Sequence, residues 1–239
     1  MNIKEYEKLI ITELDKVIEN IIDNNRSISI AVRRGERVGD GISKFLENKF
    51  VEHTKKHKYF KGSISSPEGK TKNPFDVQTV FELCKKQELI WIDFKAINIE
   101  NEDTNPDSGT PDKVIDLMQK GFFYLIYVIV CYKGTENGLE FVKYNKKYVK
   151  SYFLKDVNPS MRITPANQMQ VNGFAEPAYR TREEFLDFLI QKKIESNQRK
   201  YEKAAKELKN LKQGIWKKDL TIVQLKAMNK RQEDSIKNL

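Results

Sequence analysis

Apolar side chains recur every three to four residues at the start of the chain. Ile3, Tyr6, Leu9, Ile10, Leu14, Val17, Ile18, Ile21 and Ile22 share one face of a predicted helix. A second helix is predicted after Gly41, with Ile42, Phe45, Leu46, Phe50 and Val51 on one face. The period then shortens. Residues 59–65, 75–83 and 89–98 are β-type runs separated by Gly, Ser, Pro and Lys clusters, and the turn Lys85-Lys86-Gln87-Glu88 joins the last two as a hairpin. An Asn- and Asp-rich loop, 99–110, leads to a short helix at 111–119, which opens on Pro111 and stops at Gly121. The apolar run 122–132 follows as a strand. This order of helix, three strands, helix and strand predicts an α/β layer with a mixed central sheet flanked by helices.

Beyond residue 180 the pattern is helical again. Thr181 with Glu183 and Glu184 marks a helix start, the helix continues through Leu189, Ile194, Tyr201, Ala205 and Leu208, and Gly214 breaks it. A second helix from about 217 to 238 completes a predicted C-terminal helical hairpin. Residues 1–190 are thus read as one domain with a recognition region at about 141–182, and 183–239 as the basic hairpin.

Charge and composition narrow the chemistry. The 239 residues carry +9, and with 39% hydrophobic residues there is material for a substantial core. Residues 192–239 hold 14 basic and 6 acidic side chains, so the tail carries nearly all the excess. Such a concentration suits a polyanion, with nucleic acid first among the candidates, although a solvated helix face would show the same count. The run 122–132 is too short to span a bilayer, and the acids among the first twenty residues do not suit a signal peptide, so a cytoplasmic location is expected. Cys84 and Cys131 lack CxxC spacing, and His53 and His57 are the only histidines. A zinc finger and an HNH site are therefore unavailable, and a Ser-His-Asp hydrolase is disfavoured. The chemistry falls to carboxylates and lysines.

Those residues concentrate in 89–97. Period-two alternation puts Leu89, Trp91, Asp93 and Lys95 on one face of a strand, and Ile90, Ile92, Phe94 and Ala96 on the other. A buried acid and lysine need partners. The preceding strand opens with Asn73-Pro74-Phe75-Asp76, and a hairpin brings Asp76 beside Asp93. Two converging carboxylates repel unless a cation lies between them, and all-oxygen ligation suits Mg²⁺. Lys95 would then position water and stabilise charge on an attacked phosphate.

This arrangement resembles the PD-(D/E)xK nuclease superfamily, and more closely its type II restriction endonuclease branch. Pro74-Phe75-Asp76 matches the first acid, with one extra residue, and Asp93-Phe94-Lys95 the second motif, with sixteen residues between the acids. The helix at about 39–50 resembles the N-terminal core helix of that family, which often carries a further glutamate. Here Ser43 or Lys44 stands at the expected place and Glu47 is the acid available. The resemblance covers about 35–133 and, more faintly, 180–188. It implies a restriction-endonuclease-like core in which Asp76 and Asp93 hold Mg²⁺ and Lys95 assists catalysis. It further implies a homodimer that cuts double-stranded DNA at a short specific site and leaves 5′-phosphate and 3′-hydroxyl ends, with a cognate DNA methyltransferase as functional companion. Two other functions share these features: a basic DNA-binding protein without catalysis, and a structure-selective nuclease or resolvase of the same superfamily.

Candidate DNA contacts lie mainly in 141–182, where Lys143, Lys146, Lys147 and Lys150 alternate with Tyr144, Tyr148 and Tyr152. Asn and Gln can pair with adenine and Arg with guanine, which selects Arg162, Asn167, Gln168, Gln170, Asn172, Arg180 and Arg182, together with Gln78 upstream. Gln168 and Gln170 are two apart, so on a strand both reach one side. Three other motifs are set aside. Asp112, after Pro111, is read as a helix-start acid; 103–109 lacks the glycine and glutamate of a calcium loop; His53 and His57, four apart on a helix, lack a third zinc ligand.

Overall fold

The computed structural model describes residues 1–29, 38–66, 75–100, 105–106, 108–121, 124–136, 138–214 and 222–238. They fall into two compact units, Met1–Leu189 and Ile190–Leu239. Within the first, α1 (Ile3–Asp23) starts from a capping box, in which the Asn2 side chain accepts from the Glu5 N–H and the Glu5 carboxylate accepts from the Asn2 N–H. The following elements are β1 (Ser27–Ile28), α2 (Val38–Thr54), β2 (Phe60–Ser65), β3 (Val77–Leu83), β4 (Lys86–Asn98), α3 (Pro111–Gln119), β5 (Leu125–Thr135), β6 (Gly138–Val142), β7 (Val149–Phe153), β8 (Arg162–Ile163) and β9 (Met169–Gln170). Last come α4 (Arg182–Lys212), whose first turns belong to this unit, and α5 (Ile222–Lys237).

Seven strands form one mixed sheet in the order β1-β6-β5-β4-β3-β2, with β7 also on β5. β4 and β5 are parallel, as a crossover through α3 requires, and the other pairs are antiparallel. β7 covers Ile126–Val130 of β5, and β6 covers the next five residues along the same edge. Between them, the chain leaves the sheet through a two-residue turn at Asn145 and Lys146, both at positive φ. β5 is buried on both faces, which is why it reads as one continuous apolar run. Ile126, Val128 and Val130 face a core shared with α1 and α2. Leu125, Tyr127 and Ile129 face a second core shared with α3, β8, β9, Phe185 and Leu189.

The structure corrects several expectations. The hairpin between β3 and β4 turns at Cys84–Lys85, not at 85–88; both residues take positive φ (49° and 68°), the conformation of a two-residue hairpin, although neither is Gly or Asn. α2 begins at Val38, ahead of Gly41, and the Ser43 hydroxyl donates to the Phe94 carbonyl at 3.0 Å to seat it on β4. His57 lies beyond α2, and its Nδ1 accepts from the N–H groups of Tyr59 and Phe60 at the start of β2, so the two histidines do not share a helix. Strands β1, β6, β7, β8 and β9 were not anticipated. Gly138, at φ 146°, permits β1 to approach: a Cβ there would collide with the Ile28 carbonyl. Pro74, Phe122 and residues 103, 104 and 107 of the rejected calcium loop lie outside the described residues.

In the C-terminal helical region, α4 ends just before Gly214, which takes φ 74°, as its break requires. Every described residue of α5 is exposed. None of the described helices is long and apolar enough to cross a membrane.

Candidate active site

Strand β4 carries its acid and lysine as alternation requires. Ile90, Ile92 and Phe94 enter the core under α1 and α2, while Trp91 points to the opposite core, on the side of Asp93 and Lys95. The Lys95 ammonium sits 2.9 Å from Asp93 Oδ1, with side-chain exposures of only 19% and 14%. That burial separates the pair from an ordinary surface ion pair. Val77 pairs with Ile92, so one further step puts Asp76 across from Asp93. Asp76 is fixed there twice: its N–H donates to the Ile92 carbonyl at 2.8 Å, and its Oδ2 accepts from the Phe94 N–H at 2.8 Å. Phe75, the extra residue ahead of the acid, stacks on Trp91 with ring centroids 5.0 Å apart. It anchors the chain where Asp76 enters the sheet.

The electrostatics follow from burial. Desolvation pushes the Asp76 carboxyl up to about 7; the Asp93 charge adds to the rise and Glu47 adds a little more, while the Phe94 N–H and Lys95 oppose it. Burial also raises Asp93, and Lys95 pulls it back down. Glu47 is buried on α2, paired with the Lys44 ammonium at 2.9 Å, close enough for its charge to be felt at Asp76. Asp76, Asp93 and Lys95 are thus brought together, whereas Glu47 is paired with Lys44 and reaches Asp76 only through its charge.

Among the described residues no group of three or more His, Cys, Asp or Glu side chains is placed to hold a metal ion. Two carboxylates suffice for Mg²⁺, which is commonly held by one or two and keeps several waters. The donor set fits: oxygen only, buried, and mutually repelling without a cation.

Without metal, the raised Asp76 value makes the native state bind more protons than the unfolded chain between about pH 4 and pH 7. Stability of the metal-free protein therefore falls as pH rises through that window. Asp76→Asn is expected to stabilise the metal-free protein at pH 8 by about 2 kcal/mol, or roughly 4–8 °C in Tm. Thermal melts in EDTA at pH 5 and pH 8 check this. The gain should be clearly smaller at pH 5 and vanish only below about pH 4, where the carboxyl is protonated in the unfolded chain as well.

The candidate DNA contacts sort into two groups. Arg162, Asn167, Gln168 and Gln170 lie on the small β8–β9 ribbon, whose Ile163 and Met169 are buried in the second core. Arg162 Nε and a terminal guanidinium nitrogen both donate to Gln170 Oε1, at 3.1 and 3.0 Å. Asn167, at φ 60°, donates to Asp112 in the first turn of α3 at 2.7 Å, and the Gln168 backbone bonds to Thr164. The others are engaged elsewhere. Arg180 donates to the carbonyls of Lys155, Val157 and Ala178 and stacks on Phe188; Arg182 covers Tyr124; Asn172 accepts from the Phe174 N–H; Gln78 accepts from the Trp91 indole. A cavity of about 390 Å³ between α1 and β7, with Asp15, Ser151, Tyr144 and Phe174 among its lining residues, holds none of the site residues.

Two features escaped the sequence. Tyr127 lies in register with Asp93 on the adjoining parallel strand, with the Lys95 ammonium 5.8 Å from its ring centroid. Lys155 is a buried cation held between Glu7 and Asp156. An apolar neighbourhood signalled Tyr127 only as core, and nothing marked Lys155.

A mixed seven-stranded sheet, flanked by helices and carrying an acid and a lysine on a central strand, is a restriction-endonuclease-like α/β fold. The family model of the SwaI restriction endonuclease matches residues 2–211, from α1 through nearly all of α4, and the chain belongs to this SwaI-like family. It is a type II restriction endonuclease, a nuclease acting on DNA. No curated protein matches the chain.

Proposed function

We propose that this enzyme cuts double-stranded DNA at a short specific site with Mg²⁺, through Asp76, Asp93 and Lys95, leaving 5′-phosphate and 3′-hydroxyl ends. The observation that carries this reading is the buried Asp76–Asp93–Lys95 cluster on adjacent strands of the central sheet. Asp76 and Asp93 would hold the cation. Bound Mg²⁺ supplies charge stabilisation for the scissile phosphate and lowers the pKa of attacking water. The Lys95 ammonium, already oriented by Asp93, hydrogen-bonds the attacking water or the phosphate oxygen on which charge accumulates. Asp76 releases its proton as it binds metal, so metal affinity should rise with pH up to about 7.

The ribbon residues Arg162, Asn167, Gln168 and Gln170 are the base-contacting candidates, since a two-stranded ribbon fits the major groove. The basic region after residue 190 supplies backbone contacts, with 1–190 as the nuclease domain. A homodimer would place one site on each strand of a symmetric sequence. A companion methyltransferase would shield host DNA.

The test is incubation with a long unmethylated phage duplex, with Mg²⁺ or EDTA, followed by gel analysis and end sequencing. Discrete Mg²⁺-dependent fragments with 5′-phosphate ends are expected. Uncut DNA accompanied by a salt-sensitive mobility shift would sink the proposal.

A further inference from the structure

We infer that Tyr127 is a positioning residue that couples the β8–β9 ribbon to Lys95. This rests on the proposed roles of the ribbon in base contact and of Lys95 in catalysis. One side of the linkage is the ring: Tyr127 lies across from Asp93 in the β4–β5 register, with the Lys95 ammonium 5.8 Å from the ring centroid. The other side is the hydroxyl, which donates to the Ser108 carbonyl at 2.7 Å. Ser108 and Gly109 then hold the ribbon directly. The Ser108 N–H donates to the Met169 carbonyl, and the Met169 N–H donates to the Gly109 carbonyl, each at 2.8 Å.

Tyr127, Ser108 and Met169 are all buried. Packing leaves no slack for one to move alone, and breaking the phenol bond would leave a buried carbonyl unpaired. When bases press on Arg162 or Gln170, displacement of β9 therefore carries Ser108 with it, and Ser108 carries the phenol against the lysine. Phenylalanine would fill the same core volume and keep the ring beside Lys95. The hydroxyl is needed only for the link to the ribbon.

The test uses four full-length proteins: wild type, Tyr127→Phe, Arg162→Ala and the double variant. Single-turnover rates and KM are measured with Mg²⁺ on a duplex bearing the site mapped from phage DNA, and on duplexes with one base pair of that site altered. Tyr127→Phe is expected to lower the rate on the mapped site by about 2- to 30-fold at nearly unchanged KM, and to narrow the ratio between mapped and altered sites. Arg162→Ala should narrow the same ratio, and the double variant should be no worse than the more affected single variant. A Tyr127→Phe protein with wild-type rate and ratio, whatever its Tm, overturns the coupling while leaving the ribbon assignment intact. A wild-type ratio in Arg162→Ala removes the ribbon from recognition, and the coupling with it. Wild-type enzyme that makes no Mg²⁺-dependent fragments overturns the proposed function itself.

Discussion

Lys95→Arg is expected to reduce cleavage by about 10²- to 10⁴-fold while leaving duplex binding in EDTA nearly unchanged. The substitution preserves charge, so attraction to phosphate survives. What it loses is geometry. The Lys95 ammonium is a compact donor held 2.9 Å from Asp93 in a largely enclosed position. A guanidinium is a wider planar fork, which pairs two-to-one with a carboxylate and does not present a single donor to water or a phosphate oxygen. Single-turnover cleavage alongside a mobility shift in EDTA separates the two effects. Cleavage within tenfold of wild type would remove Lys95 from the mechanism, whatever the binding data.

Lys155→Met is expected to produce the largest loss of stability, about 3–5 kcal/mol. Lys155 is 1% exposed, and its ammonium lies 2.9 Å from Glu7 on α1, 2.8 Å from Asp156 and 2.7 Å from the Arg180 carbonyl, with the Tyr179 ring 4.3 Å away. It therefore fastens the opening helix to the segment that leads into α4. Methionine matches the length of the stem and removes the charge together with the ammonium's hydrogen bonds to Asp156 and the Arg180 carbonyl. Glu7, itself buried, is then left as an uncompensated anion. Urea unfolding checks the magnitude, and Glu7→Gln added to Lys155→Met should recover part of the loss. Failure of that second change to recover any stability would show that the stranded Glu7 charge is not the source of the loss.

Much of the frame was legible because it depends on local periodicity. α1 is read from its apolar stripe, α3 from Pro111 and Gly121, and the two faces of β4 from strict alternation around Asp93. The hairpin turn was misplaced because Cys84 and Lys85 adopt a left-handed conformation without the usual Gly or Asn. β6 and β7 were hidden because both pair with β5, and the lysine- and tyrosine-rich excursion between them resembles a binding segment more than a break between strands. The acids and lysine were found because a hairpin brings them together. Tyr127 was not, because its position beside Asp93 depends on the register of a parallel pair separated by α3, which local spacing does not encode. Arg180, a candidate DNA contact by residue type, donates through one guanidinium nitrogen to backbone carbonyls, a use that no single-sequence pattern reveals.

The tandem seating of β6 and β7 along one edge of β5, with β4 on the other, leaves the central strand with partners along both edges and apolar cover on both faces. A strand enclosed in this way has no low-energy route for opening its amides by itself. Its hydrogen bonds yield only with the cooperative unit as a whole, whereas the exposed α5 can fray at little cost. Strand β4, which carries Asp93 and Lys95, borrows that protection through its eight-residue ladder to β5. Local fluctuation therefore gathers at the periphery, and the acids and lysine keep their spacing until the whole unit unfolds.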